Sequence, residues 1–177
     1  MYYFIDLDDT LVNTTPLNND AYNYALEKYG YQRLNTEQRI TRGNLKIKPL
    51  ELPKIIYEKQ KYFYLPWLYY RVVINQKLLN ILKDNPKDNF YIWTKADSKR
   101  AYAVIKQCRL SKYFNGIIFD DKKNLDYSLN RLKTIVNNTD FTIYENDSNL
   151  FRSLSPQITD VIKDDFFDVK GYFISQL

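Results

Sequence analysis

The second half of the sequence alternates short apolar segments with longer amphipathic segments, and this alternation constrains the fold more than any other feature. Three apolar segments predict strands at 90–94, 116–119 and 141–145. Helices are predicted between them, over 98–108 and 125–136. Because a helix that joins consecutive strands of one sheet makes those strands parallel, the pattern predicts an α/β protein with a doubly wound parallel sheet. Ligands of such sheets bind at the carboxyl ends of the strands.

The first predicted strand is separated from the others by a long helical interval. Residues 1–5 form an apolar segment that ends in acids, which predicts a strand buried on both faces. The interval 14–85 has a helical pattern throughout, so we expect a helical cap inserted above the ends of the strands. The predicted domains are a core of 1–13 and 86–177 and a cap of 14–85.

Three helices are predicted inside the cap. The first begins at N-cap candidates in 18–20 and stops at Gly30. The second covers about 50–63, and the third runs from Pro66, a favourable first helical position, to 85. After the cap and the alternating segments, the chain predicts a short helix following Ser148 and a weak strand near 159–162.

The composition excludes several kinds of site. The chain has no histidine, which rules out Ser-His-Asp and Cys-His nucleophile systems and histidine-ligated zinc. Cys108 is the only cysteine, so the chain can form no internal disulfide. There is no apolar run of about 18 residues and no signal-peptide pattern at the N-terminus. We therefore expect a cytoplasmic protein that is neither secreted nor membrane-spanning.

Positive charge is concentrated in the middle of the chain. Between residues 13 and 85 there are 12 Lys and Arg against 6 Asp and Glu, while residues 1–12 carry three Asp and no basic residue. A basic segment beside an acidic strand end suits an anionic ligand held near cations. A solvated, lysine-rich helical surface is the alternative interpretation.

The segment Ile5-Asp6-Leu7-Asp8-Asp9-Thr10-Leu11 is the sharpest chemical signal in the sequence. Asp6 and Asp8 flank one residue at the point where the first strand ends, so both carboxylates can enter the same crevice. Two close carboxylates repel each other unless a cation or a proton separates their roles. The pair therefore implies Mg²⁺ or a division of acid and base duties.

This segment resembles the first motif of the haloacid dehalogenase (HAD) superfamily, an apolar strand followed by D-x-D-x-T/V-L. The resemblance implies that Asp6 attacks phosphorus and becomes an aspartyl phosphate. It implies that Asp8 protonates the leaving group and then activates water, and that Thr10 orients Asp8 or the turn. A carboxylate nucleophile that splits one displacement into two easier steps is consistent with this assignment on chemical grounds.

Later segments supply candidates for the other motifs of this superfamily. Thr94 closes a predicted strand, where a hydroxyl and the following helix N-terminus can bind phosphate oxygens. The phosphate-neutralising lysine is Lys122 or Lys123, with Lys123 slightly preferred. Glu145 and Asp147 follow the last clear strand, with Asn146 where the superfamily often has Gly. The resemblance implies that Mg²⁺ is held by Asp6, Asp8, Asp147 and Glu145.

The expected function is Mg²⁺-dependent hydrolysis of a small phosphorylated metabolite or nucleotide. A first alternative is a polynucleotide end phosphatase that follows a nucleic-acid backbone with the basic cap. A second is a non-catalytic binding domain, because the acids after the last strand depart from the usual pattern. The cap also carries aromatic residues that predict either base stacking or core packing: Tyr57, Tyr62, Phe63, Tyr64, Trp67, Tyr69 and Tyr70.

Overall fold

The structure of the protein is a computed structural model that describes residues 1–63, 72–154 and 160–163. Its centre is a five-stranded sheet in which every pair of neighbouring strands is parallel. The strands lie in the order β5-β4-β1-β6-β7. They are β1 (Tyr2–Ile5), β4 (Asn89–Thr94), β5 (Gly116–Phe119), β6 (Phe141–Glu145) and β7 (Asp160–Lys163).

Helices cover both faces of this sheet, which confirms the predicted doubly wound α/β architecture. Alternate residues of β1 point to opposite faces, so Ile5 packs in one buried cluster and Phe4 in another. The Ile5 cluster includes side chains of α3 (Gln76–Asp84) and α4 (Ser98–Gln107). The Phe4 cluster includes side chains of α5 (Leu125–Ile135) and α6 (Ser148–Leu154).

The interval predicted as a cap divides between two packing units. Helices α1 (Thr15–Lys28) and α2 (Leu52–Tyr62) pack on each other around Leu26 and Ile55. Helix α3 belongs to the core, because its buried residue Leu78 lies in the same cluster as Ile5. The cap interval of 14–85 therefore includes one helix of the core, and we propose that the cap ends near residue 72.

The chain crosses from the core to the predicted cap and back through a short antiparallel ribbon. Strand β2 (Val12–Asn13) pairs with β3 (Val73–Ile74). The prediction of one helix over 66–85 is thus wrong at 73–74, while its part in 66–71 lies outside the described residues. Asn75 ends the ribbon by capping α3: its side chain accepts a bond from Leu78 N and donates one to the Thr10 carbonyl at 3.0 Å.

Helix α1 begins earlier than predicted because a distant acid caps it. Oδ1 of Asp9 accepts hydrogen bonds from the backbone N–H groups of Thr14 and Thr15, each at 2.9 Å. Asn18 and Asn19 are buried, and their side chains donate to carbonyls of the following loop. In the described ranges, no helix is both long and apolar enough to cross a membrane.

Candidate active site

The predicted site residues gather where three neighbouring strands end. Asp6 follows the central strand β1, Thr94 closes β4 on one side, and Glu145 closes β6 on the other. All three residues are buried. The register supports this arrangement, since Ile5 pairs with both Ile92 of β4 and Tyr144 of β6. The sheet topology therefore brings together residues that are far apart in the sequence.

A buried lysine joins two of these acids. The Lys122 ammonium donates to Asp6 Oδ1 and to Glu145 Oε2, both at 2.8 Å. Its side chain is completely buried, and Nζ lies 4.2 Å from the centroid of the Trp93 ring. Burial alone would lower the pKa of Lys122, but the carboxylates of Asp6 and Glu145 outweigh it and raise that pKa. Lys122 is thus a firmly charged cation in direct contact with the predicted nucleophile.

The net effect of its surroundings raises the pKa of Asp6, and burial is the largest cause. Burial raises the pKa of Asp6, the Lys122 ammonium lowers it, and the neighbouring Glu145 raises it again. Thr10 Oγ1 lies 3.5 Å from Asp6 Oδ2, so this threonine approaches Asp6 rather than Asp8. Oδ2 is consequently the more weakly bonded oxygen of the predicted nucleophile.

Of the two candidate lysines, Lys122 and not the preferred Lys123 reaches Asp6. Lys122 has a positive φ of 55°, and its backbone N–H donates to Asp120 Oδ1 at 2.9 Å. This turn directs the Lys122 side chain inward. The Lys123 side chain is 84% exposed and pairs with Asp121 at 3.4 Å. Position after a strand could not show which of the two adjacent lysines points towards Asp6. That difference depends on the backbone conformation at Lys122, where φ is positive.

Asp8 is bound by residues that the sequence analysis did not assign to the site. The Arg100 guanidinium contacts both of its carboxylate oxygens, with one bond of 2.8 Å. Thr14 Oγ1 donates to Asp8 Oδ1 at 2.6 Å, and Arg39 lies 3.7 Å from the same carboxylate. Burial would raise the pKa of Asp8, but Arg100 and then Arg39 hold it well below the usual carboxyl range. Asp8 is therefore ionised in this arrangement.

Arg39, in the predicted cap, contacts the turn after β1 that carries Asp8 and Asp9. Its guanidinium donates to Asp9 Oδ2 at 2.7 Å and to Thr14 Oγ1 at 3.0 Å. The loop that carries Arg39 is held against α1, where Asn19 Oδ1 accepts a bond from the backbone N–H of Ile40 at 2.8 Å. Asn18 and Asn19 were the sequence signal that a loop is held against α1. Their partners in that loop could not be identified from spacing alone.

The Asp147 side chain contacts Lys95 and the start of α6, and in the described contacts it does not join the group of Asp6, Lys122 and Glu145. Its Oδ1 accepts bonds from the backbone N–H groups of Asn149 and Leu150, and its Oδ2 lies 3.4 Å from Lys95 Nζ. The Asp147 side chain is 42% exposed. Asp147 thus caps the start of α6, and Glu145 is the acid that approaches Asp6.

Comparison with known proteins gives the fold a family name. No protein-family model and no curated protein sequence matches the chain. A haloacid dehalogenase-like hydrolase from Streptococcus pneumoniae matches with a TM-score of 0.69 at 17% identity, covering 88% of this chain and 80% of that one. CbbY from Rhodobacter sphaeroides, solved in complex with phosphate, matches with a TM-score of 0.68 at 15% identity, covering 96% and 89%. The chain has the haloacid dehalogenase fold.

A subfamily IA hydrolase of the HAD superfamily from Geobacter sulfurreducens supports the same conclusion. Its TM-score is 0.70 at 10% identity, and the match covers 92% of this chain and 88% of that one. The resemblance of the first motif is therefore confirmed at the level of the HAD fold.

The described side chains supply only part of the metal site that the HAD resemblance implies. In the described part of the chain, no three or more His, Cys, Asp and Glu side chains form a group that could hold a metal ion. The Asp8 carboxylate is bound by Arg100, and Asp147 caps a helix. Asp6 and Glu145 share the Lys122 ammonium through Asp6 Oδ1 and Glu145 Oε2, which leaves Asp6 Oδ2 and Glu145 Oε1 as the hard oxygen donors. Two carboxylates completed by water and substrate phosphate are a sufficient ligand set for Mg²⁺.

Proposed function

We propose that the chain is a Mg²⁺-dependent phosphomonoester hydrolase that acts through an aspartyl phosphate on Asp6. One observation carries this proposal: the Asp6 carboxylate, at the end of the central strand, is contacted at 2.8 Å by the buried Lys122 ammonium. The cation can neutralise the transferring phosphoryl group and hold the nucleophile in place. The likeness to HAD hydrolases supports the same chemistry.

In the proposed first step, Asp6 attacks phosphorus and the bond from phosphorus to the ester oxygen breaks. Thr94 contributes a phosphate contact, because its Oγ1 already accepts a bond from Ala96 N at 3.1 Å and its hydroxyl hydrogen remains available to donate. The α4 N-terminus follows closely and favours negative charge. Mg²⁺, held by Asp6 and Glu145, would add positive charge at the phosphate oxygens.

In the proposed second step, water attacks the aspartyl phosphate and releases inorganic phosphate. Asp8 is the base in this step because its carboxylate is ionised, and its basicity rises when the contact with Arg100, which lowers its pKa, loosens. To protonate the leaving group in the first step, Asp8 must first loosen its contact with Arg100 and take up a proton from solvent, which it passes to the ester oxygen as the bond to phosphorus breaks. The proposal thus assigns Arg100 the positioning of Asp8.

A phosphatase assay over a panel of phosphomonoesters, with Mg²⁺ and with EDTA, tests the proposal. Asp6→Asn should abolish turnover, because an amide oxygen is a poor nucleophile. Asp121→Asn is the matched control, since Asp121 is exposed and pairs only with exposed Lys123 in the described contacts. It should keep wild-type activity. If Asp6→Asn retains more than about a tenth of the activity, a loss of only about 1.4 kcal/mol in transition-state stabilisation, Asp6 is not the nucleophile.

A non-catalytic binding domain is the second candidate function. It is favoured by the two contacts of Arg100 with Asp8 and by the position of Asp147 at the start of α6. The same panel separates the two functions. Phosphate esters that bind to the wild-type chain without turnover would favour the binding domain.

A further inference from the structure

A cavity lies between the cap and the core beside the proposed active site. Its volume is about 170 Å³. A cavity of about 150 Å³ can hold a molecule of the size of benzene, so the space suits a small group such as a phosphate or a carboxylate. Its walls come from the cap residues Arg42, Lys59, Gln60 and Phe63 and the core residues Lys95, Asp97 and Arg100.

The cavity is lined by an excess of positive charge. Four of its residues are cationic and one is acidic, although two of the cations, Arg100 and Lys95, also contact Asp8 and Asp147, which do not line the cavity. The acid, Asp97, caps α4 by accepting a bond from Arg100 N at 3.2 Å. Glu58, on the same helix as Lys59, pairs instead with Lys28 and Lys61. Within the described ranges, Lys59 forms no ion pair with a carboxylate.

Packing forces these cations close together. The ring of buried Phe63 has Lys59 Nζ at 4.4 Å and the Arg100 guanidinium at 5.5 Å from its centroid. Burial, together with repulsion from Arg100 and Arg39, lowers the pKa of Lys59 to about 7. A bound anion would relieve this repulsion.

The cavity adjoins the reacting groups without containing them. Arg100 lines the cavity and also contacts Asp8, two positions after Asp6 in the sequence. Asp6, Thr94 and Lys122 do not line it. A ligand whose scissile phosphate meets Asp6 can therefore place another part of the same small molecule in this basic cavity.

We propose that this cavity is a subsite for a second anionic group of the substrate, so that the preferred substrates are small phosphate esters carrying a second phosphate or a carboxylate. This inference rests on the proposed function for the position of the scissile phosphate. Lys59 and Arg42 of the cap, together with Arg100 of the core, bind the second group. Lys59 and Arg42 are specificity-determining residues because they lie on the cap side of the cavity.

Matched substrates test the subsite. Propane-1,3-diol bisphosphate and 3-phosphooxypropionate carry a second anion, whereas propyl phosphate has the same carbon length and lacks it. A charge-assisted contact is worth about 1.5 kcal/mol or more, so we expect kcat/KM to favour each doubly anionic ester by about tenfold or more, mainly through KM. Preference for either second anion supports the subsite and identifies the group that it takes. Equal kcat/KM for all three esters overturns it.

Variants of one helix supply the control. Lys59→Gln should bring the ratio of kcat/KM values close to one, whereas Lys61→Gln should leave the ratio unchanged, because Lys61 is exposed and pairs with Glu58. Arg42→Gln, at an exposed position, replaces Lys59→Gln if that variant does not fold. An unchanged ratio in both Lys59→Gln and Arg42→Gln contradicts the proposal.

A binding measurement separates failure of the subsite from failure of the proposed function. Calorimetry in EDTA compares propane-1,3-bisphosphonate with propylphosphonate, neither of which can be hydrolysed. Tighter binding of the bisphosphonate to the wild type, lost in Lys59→Gln, supports the subsite even if no ester is turned over. Turnover of esters without any preference for the second anion leaves the phosphatase function in place and overturns the subsite.

Discussion

At the scale of single residues, Lys122 determines how the acids of the site can coexist. In the described part of the chain it is the one cation that contacts both Asp6 and Glu145. Its φ of 55° is a conformation that residues other than glycine adopt rarely and at a cost. The fold maintains this conformation because it places an ammonium group between two buried carboxylates.

Replacement of Lys122 by methionine should remove activity and reduce stability. Lys122→Met keeps much of the side-chain volume but leaves the buried carboxylates of Asp6 and Glu145 without their cation. We expect the free energy of unfolding to fall by about 3 kcal/mol at neutral pH. The loss should shrink as the pH is lowered, because burial raises the pKa of Asp6 and protonation of Asp6 removes a carboxylate charge that the lysine balances. Urea denaturation at several pH values measures both effects.

Lys123→Met is the matched control for this prediction. Lys123 is exposed and contacts Asp121, so its replacement should change neither the unfolding curve nor the activity. If Lys123→Met abolished activity and Lys122→Met did not, the assignment of Lys122 to the phosphate site would be wrong.

The sequence predicted the residues at the strand ends better than their long-range partners. Thr94 and Glu145 were predicted as site residues because each terminates an apolar segment, which is a local pattern. Arg100 was not, because it reaches Asp8 across 92 positions of sequence. No periodicity connects residues at that separation. The packing of α4 against the sheet creates the contact.

At the scale of helices and strands, errors arose where an element depends on a partner outside itself. The segment Val73–Ile74 is too short to show an alternating pattern, and its strand conformation depends on pairing with Val12–Asn13. The start of α1 likewise depends on Asp9. Long elements such as β4 and α5 were predicted closely because each carries its own periodicity.

Asp9→Asn should weaken the N-terminus of α1 and its link to the cap loop. Asparagine tolerates the left-handed conformation of this position, where φ is 63°, so the variant changes mainly charge and hydrogen bonding. Loss of the ionised cap and of the Arg39 ion pair should lower the free energy of unfolding by about 1–2 kcal/mol. Thermal and chemical denaturation measure the change.

Asp126→Asn provides the comparison for this variant, because Asp126 lies in the first turn of α5 and is exposed. Its effect on stability should be clearly smaller than that of Asp9→Asn. Equal effects would show that Asp9 acts only as a general helix-terminal charge and that its contact with Arg39 contributes nothing.

At the scale of the whole molecule, only some of the basic residues of the predicted cap are neutralised by acids, and Lys46, Lys48 and Lys54 are exposed and pair with no acid among the described residues. Several of its basic residues pair with acids, among them Lys28 with Glu58, and Arg33 with Asp20. The cations that line the cavity form a compact group rather than a line along the surface. This arrangement favours a small anionic substrate over a nucleic-acid backbone.

Oligonucleotide binding to Asp6→Asn at several salt concentrations tests this conclusion. Three phosphate contacts with a single strand would give a slope of about −2 for log K against log salt. We expect a shallower slope, because the charges form a compact group. A slope of −2 or steeper together with micromolar affinity would instead support the polynucleotide end phosphatase.

The ribbon of β2 and β3 allows the segment between these two strands to vary independently of the strand ends of the sheet. Both chain crossings between core and cap lie side by side there, with Asn13 paired to Val73. A tight hairpin turn is the shortest connection that could join two antiparallel strands such as β2 and β3. Because a longer segment can start and end at the same two paired strands, the ribbon keeps the same geometry whatever the length of the chain between them. Insertions of different length or sequence can therefore be accommodated at this ribbon while the strand ends that carry Asp6 and Glu145 keep their positions.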